Sequence, residues 1–239
     1  MKTLILGDIH GRVCWKDIIN KEKPDLTIFL GDYVTTHEDI ADEIQINNVN
    51  EILDYKEANP HRVILLRGNH DLQCLYNDSG DWSCYPVPSR KLLSACSSDA
   101  FRERFLRDTQ WIYIQEPNVI YSHAGISKTW LGDTGVGVVD EINTLEPRGE
   151  LFGFRPSSLF DTSGDSKTQG CIWIRPQSLV EDALEGYTQV VGHSTVKAIT
   201  DLKKLVKSLE NSIWLCDNLP DEYLIREDDA FEVKENYTS

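Results

Sequence analysis

The sequence predicts an α/β fold, and three observations carry that prediction. Up to about residue 66, apolar β-type runs alternate with helical stretches in the order β-α-β-α-β. Such alternation builds parallel strands joined by right-handed crossovers. Beyond residue 110 the strands cluster with fewer helices between them, which predicts a second, mixed sheet. Just past the apolar runs stand short segments rich in Gly, Asp, Asn and His, the position where open α/β sheets place their ligands.

Taken in order, the first strand is expected near 2–7, around Leu4-Ile5-Leu6, and a helix near 13–21. Ile28-Phe29-Leu30 marks a strand near 26–30. Ile40, Ile44, Val49, Ile52 and Tyr55 then form an approximate helical stripe that predicts a core-packed helix over 40–57. Val63-Ile64-Leu65-Leu66 gives a strand near 62–66, and a helix begins about Asp71, a residue suited to capping. A further helix is expected near 98–107. Trp111-Ile-Tyr-Ile-Gln115 alternates like a half-exposed strand. Strands near 118–122, 187–191 and 212–216 follow, with a helix near 177–184 and one more strand over 222–226. The acidic tail, from Asp221-Glu222 through Glu235, reads as a solvated surface or frayed terminus.

The ligand-bearing segments read Gly7-Asp8-Ile9-His10-Gly11, Gly31-Asp32-Tyr33-Val34, Arg67-Gly68-Asn69-His70-Asp71, Ser122-His123-Ala124-Gly125 and Gly192-His193-Ser194. Their mixed oxygen and imidazole donors suit divalent ions such as Mn, Fe, Zn or Ni. A carboxylate can bridge two such ions, which sit roughly 3.5–4 Å apart in hydrolytic sites. Asp8 and His10 stand two residues apart, so both can reach one ion where the strand bends into a loop. Four of the six histidines fall inside these segments, and His37 and His61 lie outside.

At these residues the chain resembles the calcineurin-like metallophosphoesterases, from Asp8 to about His193. Arg67-Gly-Asn-His is similar to their phosphoprotein-phosphatase-type branch. The resemblance implies a four-layer αββα sandwich, two mixed β-sheets packed face to face with helices outside. It implies that Asp8 and His10 hold a first ion, that Asp32 bridges, and that Asn69, His123 and His193 complete a second. The two divalent ions, Mn foremost, would lower the pKa of a bound water from about 15.7 toward neutrality, and the resulting hydroxide would attack phosphorus in line. His70 would protonate the leaving group. Some family members end in Gly-His-x-His, whose last His adds a ligand; here Thr195 stands in its place.

The chain departs from that branch in one respect. Where relatives continue Gly-Asp-x-Val with Asp-Arg-Gly, this sequence reads Thr35-Thr36-His37. The carboxylate that supports the catalytic imidazole and one phosphate-gripping Arg are therefore missing. Glu38, Asp39 or Asp71 is left to orient His70, and Arg67 or Arg175, with Arg155 as a rival, to hold phosphate. A planar guanidinium can meet two phosphate oxygens at once.

Composition narrows the class. With 24 basic and 39 acidic residues the formal net charge is −15, which disfavours extended DNA or RNA as substrate. The six cysteines, Cys14, Cys74, Cys84, Cys96, Cys171 and Cys216, are scattered without a Cys-x-x-Cys pair, as expected of reduced thiols. No apolar stretch approaches a membrane span, and Met1-Lys2-Thr3 runs straight into the first strand, so a cytoplasmic location is expected. One domain over 1–239 is expected, with specificity loops near 76–90 and 147–170, where Trp82 or Tyr85 would stack on substrate. The leading function is hydrolysis of a phosphomonoester, on phosphoserine or phosphothreonine of a protein or on a small phosphoester. A dinucleoside polyphosphate or other small-nucleotide hydrolase is the alternative. A nuclease ranks third, and a non-catalytic metal-binding scaffold is the reading from another class.

Overall fold

The computed structural model describes residues 1–76, 86–155 and 164–236. Parallel strands β1 (Lys2–Leu6), β2 (Leu26–Phe29) and β3 (Val63–Leu65) are linked by helices α1 (Trp15–Glu22) and α2 (Asp42–Ala58). Helices α3 (Asn69–Tyr76), α4 (Arg90–Cys96) and α5 (Asp99–Asp108) lead to strands β4 (Ile112–Gln115) and β5 (Val119–Ser122). After α6 (Lys128–Thr134) and α7 (Pro176–Glu181) come β6 (Thr188–Val191), β7 (Thr200–Asp201), β8 (Ile213–Leu215), β9 (Glu222–Glu227) and β10 (Ala230–Glu235). The first sheet runs β10-β9-β1-β2-β3 and the second β4-β5-β6-β8-β7. Both are mixed: β5, β6 and β8 are parallel, with antiparallel neighbours at the margins.

Strand alternation explains the layering, because successive side chains point to opposite faces. Leu4 and Leu6 of β1 join Trp15, Ile18, Val49 and Ile52 in the core beneath α1 and α2. Ile5, between them, packs with Ile28, Val119, Tyr121, Val190 and Trp214 in the core between the sheets. On the outer face of the second sheet, Val191, Ile213 and Leu215 meet Leu179 of α7. Burying each such aliphatic side chain contributes roughly 1.5–3 kcal/mol. The predicted two-sheet sandwich flanked by helices is the observed one.

The structure differs from the sequence reading at the tail and in two short helices. The acidic tail is ordered as the β9–β10 hairpin: β9 pairs antiparallel with β1, and Phe231 and Val233 of β10 pack toward the inter-sheet core. Helices α4 and α6 were not anticipated, being seven residues each, too short to show two helical periods. Their serines were the available signal: Ser89 and Ser127 accept from Leu92 N–H and Trp130 N–H, both at 3.0 Å. Trp82, Tyr85, Cys84 and Phe160 lie outside the described residues. The other five cysteines are free thiols. Among the described residues, no helix is long and apolar enough to cross a membrane.

Candidate metal centre

The site lies where β1, β2, β3, β5, β6 and β8 end, at one edge of both sheets. Asp8 and His10 follow β1, Asp32 follows β2, Asn69 and His70 open α3 after β3, and His123 and His193 follow β5 and β6. The chain turns sharply there, and His10, Asp32 and His193 all adopt positive φ (45°, 50° and 61°). Two glycines allow the close approach of the segments. A Cβ on Gly68 would stand 2.0 Å from Asp32 Oδ1, and one on Gly192 would stand 2.1 Å from Asp8 Oδ1.

All six predicted ligands come together. Donor atoms of Asp8, His10 and Asp32 lie within 4.8 Å of one another. Beside them, His123 Nε2 is 3.4 Å from Asp32 Oδ2 and 2.9 Å from Asn69 Oδ1, and His193 Nδ1 is 3.0 Å from that same Asn69 oxygen. Each of these three imidazoles spends its other nitrogen on a backbone carbonyl: His10 Nδ1 on Thr35 at 2.6 Å, His123 Nδ1 on Leu30 at 2.8 Å, His193 Nε2 on Trp173 at 3.1 Å. A carbonyl only accepts, so those nitrogens carry hydrogens, and His10 Nε2, His123 Nε2 and His193 Nδ1 are turned inward. Second-nitrogen anchoring of this kind orients metal-ligating histidines. Carboxylate oxygens, the Asn69 carbonyl and inward imidazole nitrogens thus face a common space, a donor set that fits divalent ions.

Electrostatics point the same way. Burial pushes the Asp8 carboxyl well above its ordinary range, and neighbouring Asp217 adds to the push. Burial also opposes ionisation of Asp32, yet His123, His70 and His10 around it hold its carboxyl far below the usual value. His123, although burial disfavours its cation, is pushed up to about 10 by Asp32 and Asp8. Without an ion, His123 is the positive charge that this buried acidic cluster requires.

His70 is held differently. Its Nδ1 meets the hydroxyl of Thr35, its backbone N–H donates to Asp32 Oδ1 at 3.0 Å, and its Nε2 lies 3.9 Å from Asp32 Oδ2. Burial lowers it to about 4, against the pull of Asp32. None of the three carboxylates expected to orient it does so. Glu38 pairs with Arg12 at 2.7 Å, and Asp39 is exposed. Asp71 accepts from the backbone amides of Asp32, Tyr33 and Gly68 at 3.0, 2.9 and 2.8 Å, clamping two ligand loops together. The residue that touches His70 Nδ1 is Thr35, the first of the three that replace Asp-Arg-Gly.

The two arginines separate. Arg175 lines the cavity of about 370 Å³ together with Asp8, His10, Asp32, Asn69, His70 and His193, and donates to His193 O at 3.2 Å. Arg67 is turned away, a correction to the expectation that it grips phosphate. Its guanidinium donates to Thr109 Oγ1, Thr109 O and Leu106 O at 2.9, 2.7 and 2.8 Å and lies over the Trp111 ring. The rival Arg155 donates to Glu150 O at 2.9 Å. Sequence reasoning missed His37, Pro86, Trp173 and Asp217, which also line the cavity. Asp217 follows β8 as the other acids follow their strands, and that position was its only signal.

A two-sheet sandwich with candidate metal-binding side chains gathered at its strand ends defines the class of protein. The calcineurin-like phosphoesterase family profile matches residues 1–197, and the chain belongs to that family. The family uses divalent metal ions and hydrolyses phosphoesters. No curated protein matches the chain by sequence. Solved structures share its fold. A mutant cold-active protein tyrosine phosphatase superposes with a TM-score of 0.63 at 18% identity, over 98% of this chain and 77% of that one. A protein serine/threonine phosphatase from Saccharomyces cerevisiae gives 0.58 at 14% identity, over 100% and 81%. A metallophosphoesterase from Sphaerobacter thermophilus gives 0.55 at 16%, over 99% and 90%.

Proposed function

We propose that the chain is a dinuclear-metal phosphomonoesterase of the phosphoprotein-phosphatase type, acting on phosphoserine or phosphothreonine. The observation that carries this reading is the convergence of Asp8, His10, Asp32, Asn69 and His193 on a cavity that also holds Arg175 and His70, with His123 buried against Asn69 and Asp32. Divalent ions bound there, Mn foremost, supply Lewis acidity and bring the pKa of a bound water toward neutrality.

The chain's own groups do the rest. Arg175 offers its guanidinium to the non-bridging phosphate oxygens, where charge builds up in the transition state. His70 presents Nε2 to the leaving oxygen and delivers a proton to it. Burial alone would keep His70 neutral, but the negative charge of a bound phosphoester favours its imidazolium. Trp173, Pro86 and His37 wall the cleft.

The test is phosphate release by Mn-loaded protein from p-nitrophenyl phosphate, its bis-ester, a phosphothreonine peptide and diadenosine tetraphosphate. The two monoesters should turn over fastest. Preference for diadenosine tetraphosphate would replace this reading with a nucleotide hydrolase. Bound ions without any turnover would favour a scaffold.

A further inference from the structure

We propose that Thr35 is the positioning residue of this site, its hydroxyl setting the His70 ring while its carbonyl sets the His10 ring. The inference rests on the phosphoesterase reading for its kinetic consequence, and on geometry alone for the contacts.

Thr35 is buried and sits in the left-handed region at φ 62°. A β-branched residue seldom adopts that conformation, and such outliers persist only where their surroundings over-determine them. Here the surroundings do so. The Thr35 N–H donates to Gln45 Oε1 at 2.8 Å, and Gln45, on α2, donates from Nε2 to Ile40 O at 2.8 Å. One side chain thereby ties two points of the loop, Thr35 and Ile40, to α2.

The turned backbone lets one residue face two imidazoles. Its carbonyl accepts from His10 Nδ1–H at 2.6 Å, which leaves His10 Nε2 facing Asp8, 3.8 Å away. Its hydroxyl donates to Val34 O at 2.6 Å, so its remaining lone pairs are what His70 Nδ1–H meets. The hydrogen is then on Nδ1, and His70 Nε2 is the atom turned to the cavity. The two rings stand edge to face, with centroids 5.3 Å apart and planes at 88°. The proposed first-ion ligand and the proposed proton donor are thus held at a right angle by one residue. A hydroxyl performs the orienting task without adding a second negative charge beside Asp32.

The carbonyl survives any substitution, so side-chain variants isolate the His70 contact. Thr35→Ser keeps the hydroxyl and Thr35→Ala removes it, while both relieve the β-branch at positive φ. In zinc-loaded protein, the imidazole Nδ1–H of His70 observed by NMR should remain slowly exchanging in wild type and Thr35→Ser. It should be lost to exchange in Thr35→Ala, with zinc content unchanged in all three. In turnover, Thr35→Ala should lose about 10–100-fold with an alkyl phosphate, the loss usual for removing an orienting partner, and much less with p-nitrophenyl phosphate. Thr35→Ser should stay near wild type with both. Serine and alanine variants that behave alike in the NMR arm would overturn the proposal. If the wild type hydrolyses no phosphoester, the phosphatase reading fails, while the NMR comparison still decides the role of Thr35.

Discussion

Arg67 and Arg175 are both candidates for holding phosphate in the sequence, yet the fold gives them opposite tasks. Arg67 ties the loop after β3 to the C-terminal end of α5 through three hydrogen bonds from a nearly buried guanidinium. Arg67→Ala would leave carbonyls of Leu106 and Thr109 without that donor, and thermal or denaturant unfolding should show a loss on the order of 3 kcal/mol. The KM of the folded fraction should hardly move. Arg175→Ala should do the reverse, keeping stability and lowering kcat/KM by about 100-fold, as removal of a transition-state donor does. Residue types and spacing made the six proposed ligands legible as a group, because a metal site calls for such donors at strand ends. The direction of a guanidinium was not legible, since it depends on α5 and Thr109, some forty residues away. Nor could spacing show that a neutral hydroxyl would meet His70 in place of a carboxylate. That choice depends on the left-handed turn at Thr35.

At the scale of elements, the parallel strands could be read because their apolar runs are continuous and end in glycine-rich ligand loops. The last strand, β10, could not. Charged residues at 221–235 describe what faces solvent, whereas the hairpin is held by backbone pairing, which composition does not record. Tyr223, Leu224 and Ile225 are buried on β9, and β9 supplies the antiparallel neighbour of β1, from whose end Asp8 projects. Leu224→Ala should therefore cost about 2–5 kcal/mol, the range for deleting a buried leucine side chain. Because Leu224 packs in the inter-sheet core rather than on the cavity, turnover per folded molecule should be retained. A variant that folds to wild-type stability would show that the tail is dispensable to the sandwich.

For the whole molecule, the central feature is a pair of buried carboxylates, Asp8 and Asp32, in a chain of formal net charge −15. Burying such charges is unfavourable unless a cation compensates them. In the metal-free protein His123 serves, its imidazolium held up to about 10 by Asp32 and Asp8. As a proposed ligand, His123 would offer an ion the same Nε2 lone pair that the proton occupies, so metal and proton would compete for one atom. Raising the pH removes the competitor and strengthens metal binding, and loading at neutral pH releases protons. Calorimetric titration of Mn into metal-free protein, beside Asp32→Asn, tests this most directly. The expected result is two ions per chain, net proton release, affinity that climbs as pH rises from neutral toward about 10, and marked weakening of both ions in Asp32→Asn. Absence of Mn binding, or binding untouched by pH and by Asp32→Asn, would contradict the metal centre on which the function rests.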